Sequence, residues 1–438
     1  MRVFVAFLFV LSAAPLAGAQ QPVRIELDRP MDHRIPIAVP PFATPEGQED
    51  LGRELAEVME YDLEFSGHFQ IVPQGEFPPD FQGFTSDATD INFSRWREDS
   101  SAEYLVYAYA RREGEAVVAE CRLFDVIDGV QVVGKRLSTD NAEWSRQVAH
   151  QFADEIVLYL TGELGIATSQ IAFSGVRDGN KEIFVADYDG HRQRAVTNHN
   201  SISIRPKMSP SGDRIAYVSY KDRFPFLYIL TLSTGESAPL SRRVGLNASP
   251  SWAPDGESLA IVLSVDGHPN IYLIDADGSN LRQLTHERLV DSSPTFHPSG
   301  DRIAFVSQRS GPPQIFVMDR DGGNVRRVSF QGGSSYDPAW SPNGQYLAYV
   351  VSRPGEGYHI YAMEANGANP QRLTTTGRTN ESPSWSADSR HVIFTSNRGG
   401  QQQMWTVNVE TGDVRQVPNQ GNARNEGPNW GPRRHPSN

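Results

Sequence analysis

The chain has 438 residues, enough for two or three domains, a formal net charge of −13 and one cysteine, Cys121. That acidity argues against a sequence-independent grip on nucleic acid, where basic patches supply the affinity. A single cysteine excludes an internal disulfide, so stability has to come from packing, which a large repeat domain can provide.

In chain order, Arg2, an apolar run over residues 3–11 and small residues ending Ala17-Gly18-Ala19 have the layout of a secretory signal peptide. Cleavage is expected near Ala19, leaving Gln20 first and the chain one unit more acidic. No cysteine follows to accept a lipid anchor. No later stretch reaches about 18 uninterrupted apolar residues, so no membrane span is expected.

Residues 20–41 form a separate N-terminal segment. Val23, Arg24, Ile25, Glu26 and Leu27 alternate like a strand, while prolines at 22, 30, 36, 40 and 41 argue against the middle of a sheet. Such a segment can stay mobile, add to another protein's sheet, or be tethered as an N-terminal strand, and all three readings are open. Residues 42–165 read as a small α/β domain. Helices are predicted over 45–67, with Leu51, Leu55, Val58, Met59 and Leu63 on one stripe, and over 141–160, carrying Trp144, Val148, Phe152 and Ile156. Strands are predicted over 68–72, 103–110 and 116–127, with a turn at residues 112–114 and a linker over 161–168.

From residue 166 to 438 one phrase recurs: Pro206-Lys-Met-Ser-Pro-Ser-Gly, then Pro-x-aromatic versions at Pro250, Pro294, Pro338, Pro383 and Pro428. The prolines lie 44, 44, 44, 45 and 45 residues apart, the period of a four-stranded propeller blade. Each unit reads as strands A to D. A is the proline phrase, B a run such as Ile303-Ala-Phe, C a run such as Ile315-Phe-Val, and D a short segment around residues such as Val328. Nearly continuous apolar B and C strands fit blades covered on both faces. The C–D connections carry Asp277-Gly278, Asp321-Gly322 and Asn366-Gly367, read as type I′ hairpin turns with φ > 0 at both residues.

One B–C–D set, at Ile171, Ile183 and Val196, has no proline phrase ahead of it, and the last phrase, at Pro428, has nothing after it. Six A strands and six B–C–D sets match if the last A strand completes the first blade. The expected fold is therefore an α/β N-terminal domain followed by an all-β six-bladed propeller closed by the C-terminal strand.

The motifs point away from catalysis. There is no G-x-S-x-G elbow, no H-E-x-x-H and no Walker loop, and the lone cysteine and scattered histidines give no metal-ligand spacing. Catalytic, cofactor and metal sites are each read as none. The calcium-loop lookalikes Asp187-Tyr-Asp189, Asp275-Ala-Asp277 and Asp319-Arg-Asp321 lack the bidentate Glu in register and recur at one hairpin, so they read as turns. The distinctive feature is the set of D-to-A loops, which rings one mouth of the channel and suits protein docking. Its candidate residues are Arg205, Leu246, Asn247, Ala248, Asp291, Ser292, Tyr336, Asp337, Asn380, Glu381, Asn425 and Glu426.

The export signal, the small α/β domain, the P-x-W-S-P-D-G units and the Val23-Arg-Ile-Glu-Leu27 start together resemble the TolB family of the Tol–Pal system. The resemblance spans essentially the whole chain. It implies a periplasmic, non-enzymatic scaffold that binds the lipoprotein Pal at the propeller mouth and TolA through the mature N-terminus at Val23, Arg24, Ile25, Glu26 and Leu27. It further implies support of outer-membrane constriction at cell division, a role in envelope integrity, and contacts with other outer-membrane proteins and bacteriocins. Family contacts map onto Leu246, Asn247 and Ala248 and onto Ser292, although the residue types there differ. The alternative is an exported hydrolase or peptidase whose propeller filters substrate.

Overall fold

The computed structural model describes residues 34–85, 91–419, 421 and 424–433. The expected signal peptide and Val23 to Leu27 lie outside them. The α/β region begins with β1 (Ile35–Ala38) and continues through α1 (Glu49–Ser66), β2 (Phe69–Ile71), α2 (Phe93–Asp99), β3 (Tyr104–Glu113), β4 (Ala116–Asp125), β5 (Val130–Thr139) and α3 (Ser145–Thr161). The sheet order is β2-β1-β3-β4-β5. The stripe expected on α1 is buried throughout, and Gly67, with φ 80°, ends the helix in the left-handed conformation that glycine adopts at no steric cost.

Several expectations are corrected here. Residues 35–38 are not kept out of a sheet: β1 is an interior strand despite Pro36. Its pairing with β3 starts only at Ile37 opposite Tyr104, so the N–H that Pro36 lacks falls at the end of that ladder. The β3–β4 turn lies at Gly114-Glu115, later than expected. Strands β1 and β5 and helix α2 were not foreseen. Trp144 precedes α3 and is part-exposed, with the Arg192 guanidinium 3.9 Å from its ring centroid. The expected linker is no loose tether. Its residues Ile166, Ala167 and Thr168 are buried, and Asp154 of α3 accepts hydrogen bonds from Ala167 N (2.8 Å) and Thr168 Oγ1 (2.7 Å).

Six four-stranded sheets follow, and the first is closed by the chain's last strand. Asn425–Arg433 pairs antiparallel with Ser169–Arg177, setting Trp430 opposite Ile171. In blades 2 to 6 the A strands are Ser203–Met208, Asn247–Trp252, Asp291–Phe296, Ser334–Trp340 and Asn380–Trp385. In blades 2, 4 and 5 the small residue of the B strand shares a cluster with the A-strand aromatic of the next blade, Ala216 with Trp252, Ala304 with Trp340 and Ala348 with Trp385. Ile393, the departure from that rule, packs with Trp430 of the borrowed strand. The C–D turns are not type I′. Of the Asp277-Gly278 pair only Gly278 takes positive φ (Asn280, two residues on, is the other such residue), its N–H donates to the Asp275 carbonyl at 2.8 Å, and the Asp277 carboxylate accepts from Ser279 N at 2.8 Å. Asp serves there as a side-chain cap on the turn.

One apolar cluster runs from α1 and α3 through Ile171, Phe173 and Tyr188 of blade 1 to Trp430 and Ile393. The α/β region touches the A–B and C–D ends of blades 1 and 6: Phe65 stacks on His391 at 4.4 Å, and Glu64 pairs with Arg415 at 3.4 Å. In an antiparallel meander those turns share one face, so the D–A and B–C loops lie on the opposite face, which the α/β region does not cover.

Candidate functional site

The proline that opens each repeat cannot donate to its B strand, so each A strand carries a register shift at that point. The residue before the proline sits at positive φ in every blade: Arg205 55°, Ser249 48°, Ser293 49°, Asp337 44°, Ser382 54° and Gly427 60°. For the five non-glycine residues this costs on the order of 1–3 kcal/mol each, and strain of this kind concentrates at functional sites. The six positions line the mouth of a central channel of about 440 Å³. Arg205 of blade 2 and Asp337 of blade 5 stand on opposite sides of the ring, yet Nη1 and Oδ1 approach to 3.8 Å across the mouth. Ser293 Oγ also donates to Asp337 Oδ1, at 3.0 Å. Burial lifts the Glu381 carboxyl above the ordinary range and the nearby Asp337 carboxylate adds to this, against the pull of Arg205.

The twelve candidate residues divide by exposure. Arg205 and Leu246 are exposed, and Ala248, Ser292, Tyr336, Asp337, Glu381 and Glu426 are half-buried. Asn247, Asp291, Asn380 and Asn425 are buried. Asn247, Asp291 and Asn380 anchor loops from beneath, and none of the four offers a partner a surface. Asn247 Nδ2 donates to the Arg243 and Gly245 carbonyls (2.8 and 3.1 Å), and Asp291 Oδ2 accepts from Arg309 Nη2 at 3.0 Å. Glu426 is paired with Lys181 at 2.5 Å.

Sequence reading treated this rim as polar and left the B–C loops aside. The structure adds an arc of exposed apolar side chains running from the blade 1–2 loop to the blade 4–5 loop. Ile202, Val244, Leu246, Leu289 and Phe330 come from D–A loops, and Tyr220, Phe224 and Val265 from B–C loops. Val244 is 93% exposed and Phe224 63%. Among the described residues, Val325 alone is a large exposed apolar residue on the propeller's other face. Arg223, Arg243 and Arg288 stand exposed among these side chains, with no ion pair among the described residues. Apolar anchors interleaved with arginine are the composition of a protein-docking surface. Loop residues such as Val244, flanked by Arg243 and Gly245, were the available sequence signal.

At the lookalike calcium turn of blade 1, His150, Asp187 and Asp189 bring ligand-type atoms within 4.8 Å of one another. Arg192 takes the Asp187 carboxylate and Arg146 the Asp189 carboxylate, which makes this an ionic network. In the turns of blades 3 and 4, Asn280 and Asn324 bond Asp275 and Asp319.

Fold and site together define a six-bladed propeller protein whose candidate site is an open, strained loop face, with the α/β region on the other side. A TolB amino-terminal domain model matches residues 23–132, and a TolB beta propeller domain model matches residues 158–350 and 332–435. The chain belongs to the TolB family. It is 34% identical over 228 residues to the Tol-Pal system protein TolB of Desulfosudis oleivorans, covering 51% of each chain. It is 35% identical over 236 residues to that of Anaeromyxobacter sp. (strain K), covering 53% of each. The chain thus spans about half the length of the curated relatives it matches. The crystal structure of TolB from Acinetobacter baumannii superposes with a TM-score of 0.79 at 26% identity, over 92% of this chain and 97% of that one.

Proposed function

We propose that this protein is a periplasmic, non-enzymatic scaffold of the Tol–Pal envelope system. In this reading it docks the lipoprotein Pal on the open propeller face and engages TolA through its N-terminal segment. It thereby supports outer-membrane constriction at division and envelope integrity. The relatives named above are Tol-Pal system proteins, which supports the pathway. The observation that carries the docking site is the concentration of the propeller's exposed apolar side chains on the loop face opposite the α/β region, with Val325 the exception among the described residues, and Arg223, Arg243 and Arg288 standing among them. Among the described residues no helix is long and apolar enough to cross a membrane.

Two measurements test this reading. Leu246→Asp or Arg243→Glu, both at exposed loop positions, is expected to weaken Pal binding at least about tenfold, or about 1.4 kcal/mol, with little change in melting temperature. Calorimetric titration with purified Pal checks it, and unchanged affinity in both variants removes the face as the site. Deleting residues 20–32 is expected to abolish TolA capture and leave thermal stability nearly intact. A large stability loss on that deletion would instead indicate a tethered strand. Peptidase or esterase turnover that one serine substitution removes would favour the hydrolase alternative.

A further inference from the structure

The junction between the α/β region and blade 1 contains a buried ionic network that neither the fold's closure nor the docking face requires. His150 of α3 is 1% exposed. Its Nδ1 lies 2.7 Å from Asp62 Oδ2 of α1, and its Nε2 lies 3.7 Å from Asp189 Oδ2 on the blade 1 turn. Tyr188 donates its hydroxyl to the other Asp62 oxygen at 2.5 Å. Arg146 of α3 pairs with Asp189. Arg192 pairs with Asp187 at 2.5 Å and also donates to Gln147 of α3 at 3.2 Å. Tyr61 of α1 packs against Tyr188, and Gln170 donates to Asp187. Burial depresses the imidazole of His191, half-buried beside Asp189, and the exposed Arg194 feels the Asp187 charge from the edge of blade 1.

Among direct ion pairs, the three carboxylates of Asp62, Asp187 and Asp189 are held by only two guanidiniums, those of Arg146 and Arg192. A protonated His150 makes the network neutral. The nitrogen positions agree with that count. Nδ1 is committed to Asp62, so a neutral imidazole would turn the lone pair of Nε2 toward the Asp189 carboxylate. Nε2 is buried and makes no hydrogen bond among the described residues. Its one close electrostatic partner is therefore attractive only in the imidazolium form.

We propose that His150 is a proton-operated clasp that fastens the α/β region to blade 1 while charged and loosens the junction when it loses its proton. Burial by itself would depress this imidazole; the Asp62 and Asp189 carboxylates outweigh burial and hold it above the ordinary range. A group raised on folding contributes its stabilisation fully below its unfolded value, about 6.5, and loses it as pH rises through the folded value. Asp62, raised by burial, acts in the same direction. Asp189 is depressed, because His150 and Arg146 overcome its burial, so its contribution is lost only in acid.

The test uses the full mature chain. The His150 ring proton is followed by NMR from pH 5 to 9, with amide exchange, corrected for intrinsic rates, in residues 187–192 and in α3. The expected result is a midpoint above 6.5 and junction opening that rises with pH, by up to about tenfold per unit of upward shift, while blades 3 and 4 stay unchanged. His150→Gln can still donate to Asp62 but cannot charge, so its junction exchange should be flat over the same range. A midpoint at or below 6.5, or the same pH response in His150→Gln, overturns the clasp. If that variant fails to fold, the wild-type midpoint decides. Stoichiometric metal in the purified protein, whose chelation shifts the His150 signal, would also overturn it.

Discussion

Ending the chain before Asn425 is expected to abolish cooperative folding, seen as loss of the thermal transition and of a monomer peak on size exclusion. The last strand does more than fill a gap. Its residues bond its own blade and two others at once. Gly427 N donates to Thr395 Oγ1 (2.9 Å) and Trp430 N to Ser384 Oγ (3.0 Å) in blade 6, while Asn429 Oδ1 accepts from Met208 N (2.7 Å) in blade 2. Trp430 Nε1 donates to Ser169 Oγ at 2.8 Å in blade 1, and its ring sits in the cluster shared with α1. Removing the strand exposes the long Ser169–Arg177 edge and leaves these partners unpaired. The single substitution Trp430→Ala should cost about 3–5 kcal/mol, the usual range for a buried aromatic, read by denaturant titration. A stable monomer ending before Asn425 would contradict the closure.

Asp154→Ala is expected to be comparably damaging, at about 3–5 kcal/mol, although Asp154 lies in α3, on the side of the propeller away from the open loop face. The carboxylate is 3% exposed. It accepts from Ala167 N and from Thr168 N and Oγ1, and Arg433 Nη2 reaches it at 3.3 Å. One side chain therefore holds the segment entering blade 1 and the end of the strand that closes it. Alanine leaves two buried amides, a buried hydroxyl and the half-buried Arg433 guanidinium without that acceptor. Asn, which keeps one acceptor oxygen, should recover part of the loss. Equal denaturation midpoints for Asp154→Ala and the parent would show that the segment is held by apolar packing alone.

How much was legible depended on the range of the forces. The α1 stripe was readable because helical period and burial face coincide within 18 residues, and Gly67 marked the stop. Pro36 misled because a proline is tolerated in an interior strand where its neighbour's pairing has not begun. The C–D glycines were read correctly as turns, but the Asp before them was assigned a positive φ that it does not adopt, because it caps the turn through its side chain. At the docking face, Asn247, Asp291, Asn380 and Asn425 looked like surface residues in loop sequence, and the structure buries them beneath the loops.

The sequence by itself determined the blade count and the closure, because a period of 44 or 45 residues and one displaced strand leave a single consistent pairing. Only the tertiary structure decided which face is free. That choice follows from contacts between residues far apart in the chain, such as Phe65 on His391 and His150 between Asp62 and Asp189. Local patterning constrains each strand and turn. The burial of an ionic network, and the exposure of the arc around Val244, depend on which surfaces the α/β region covers.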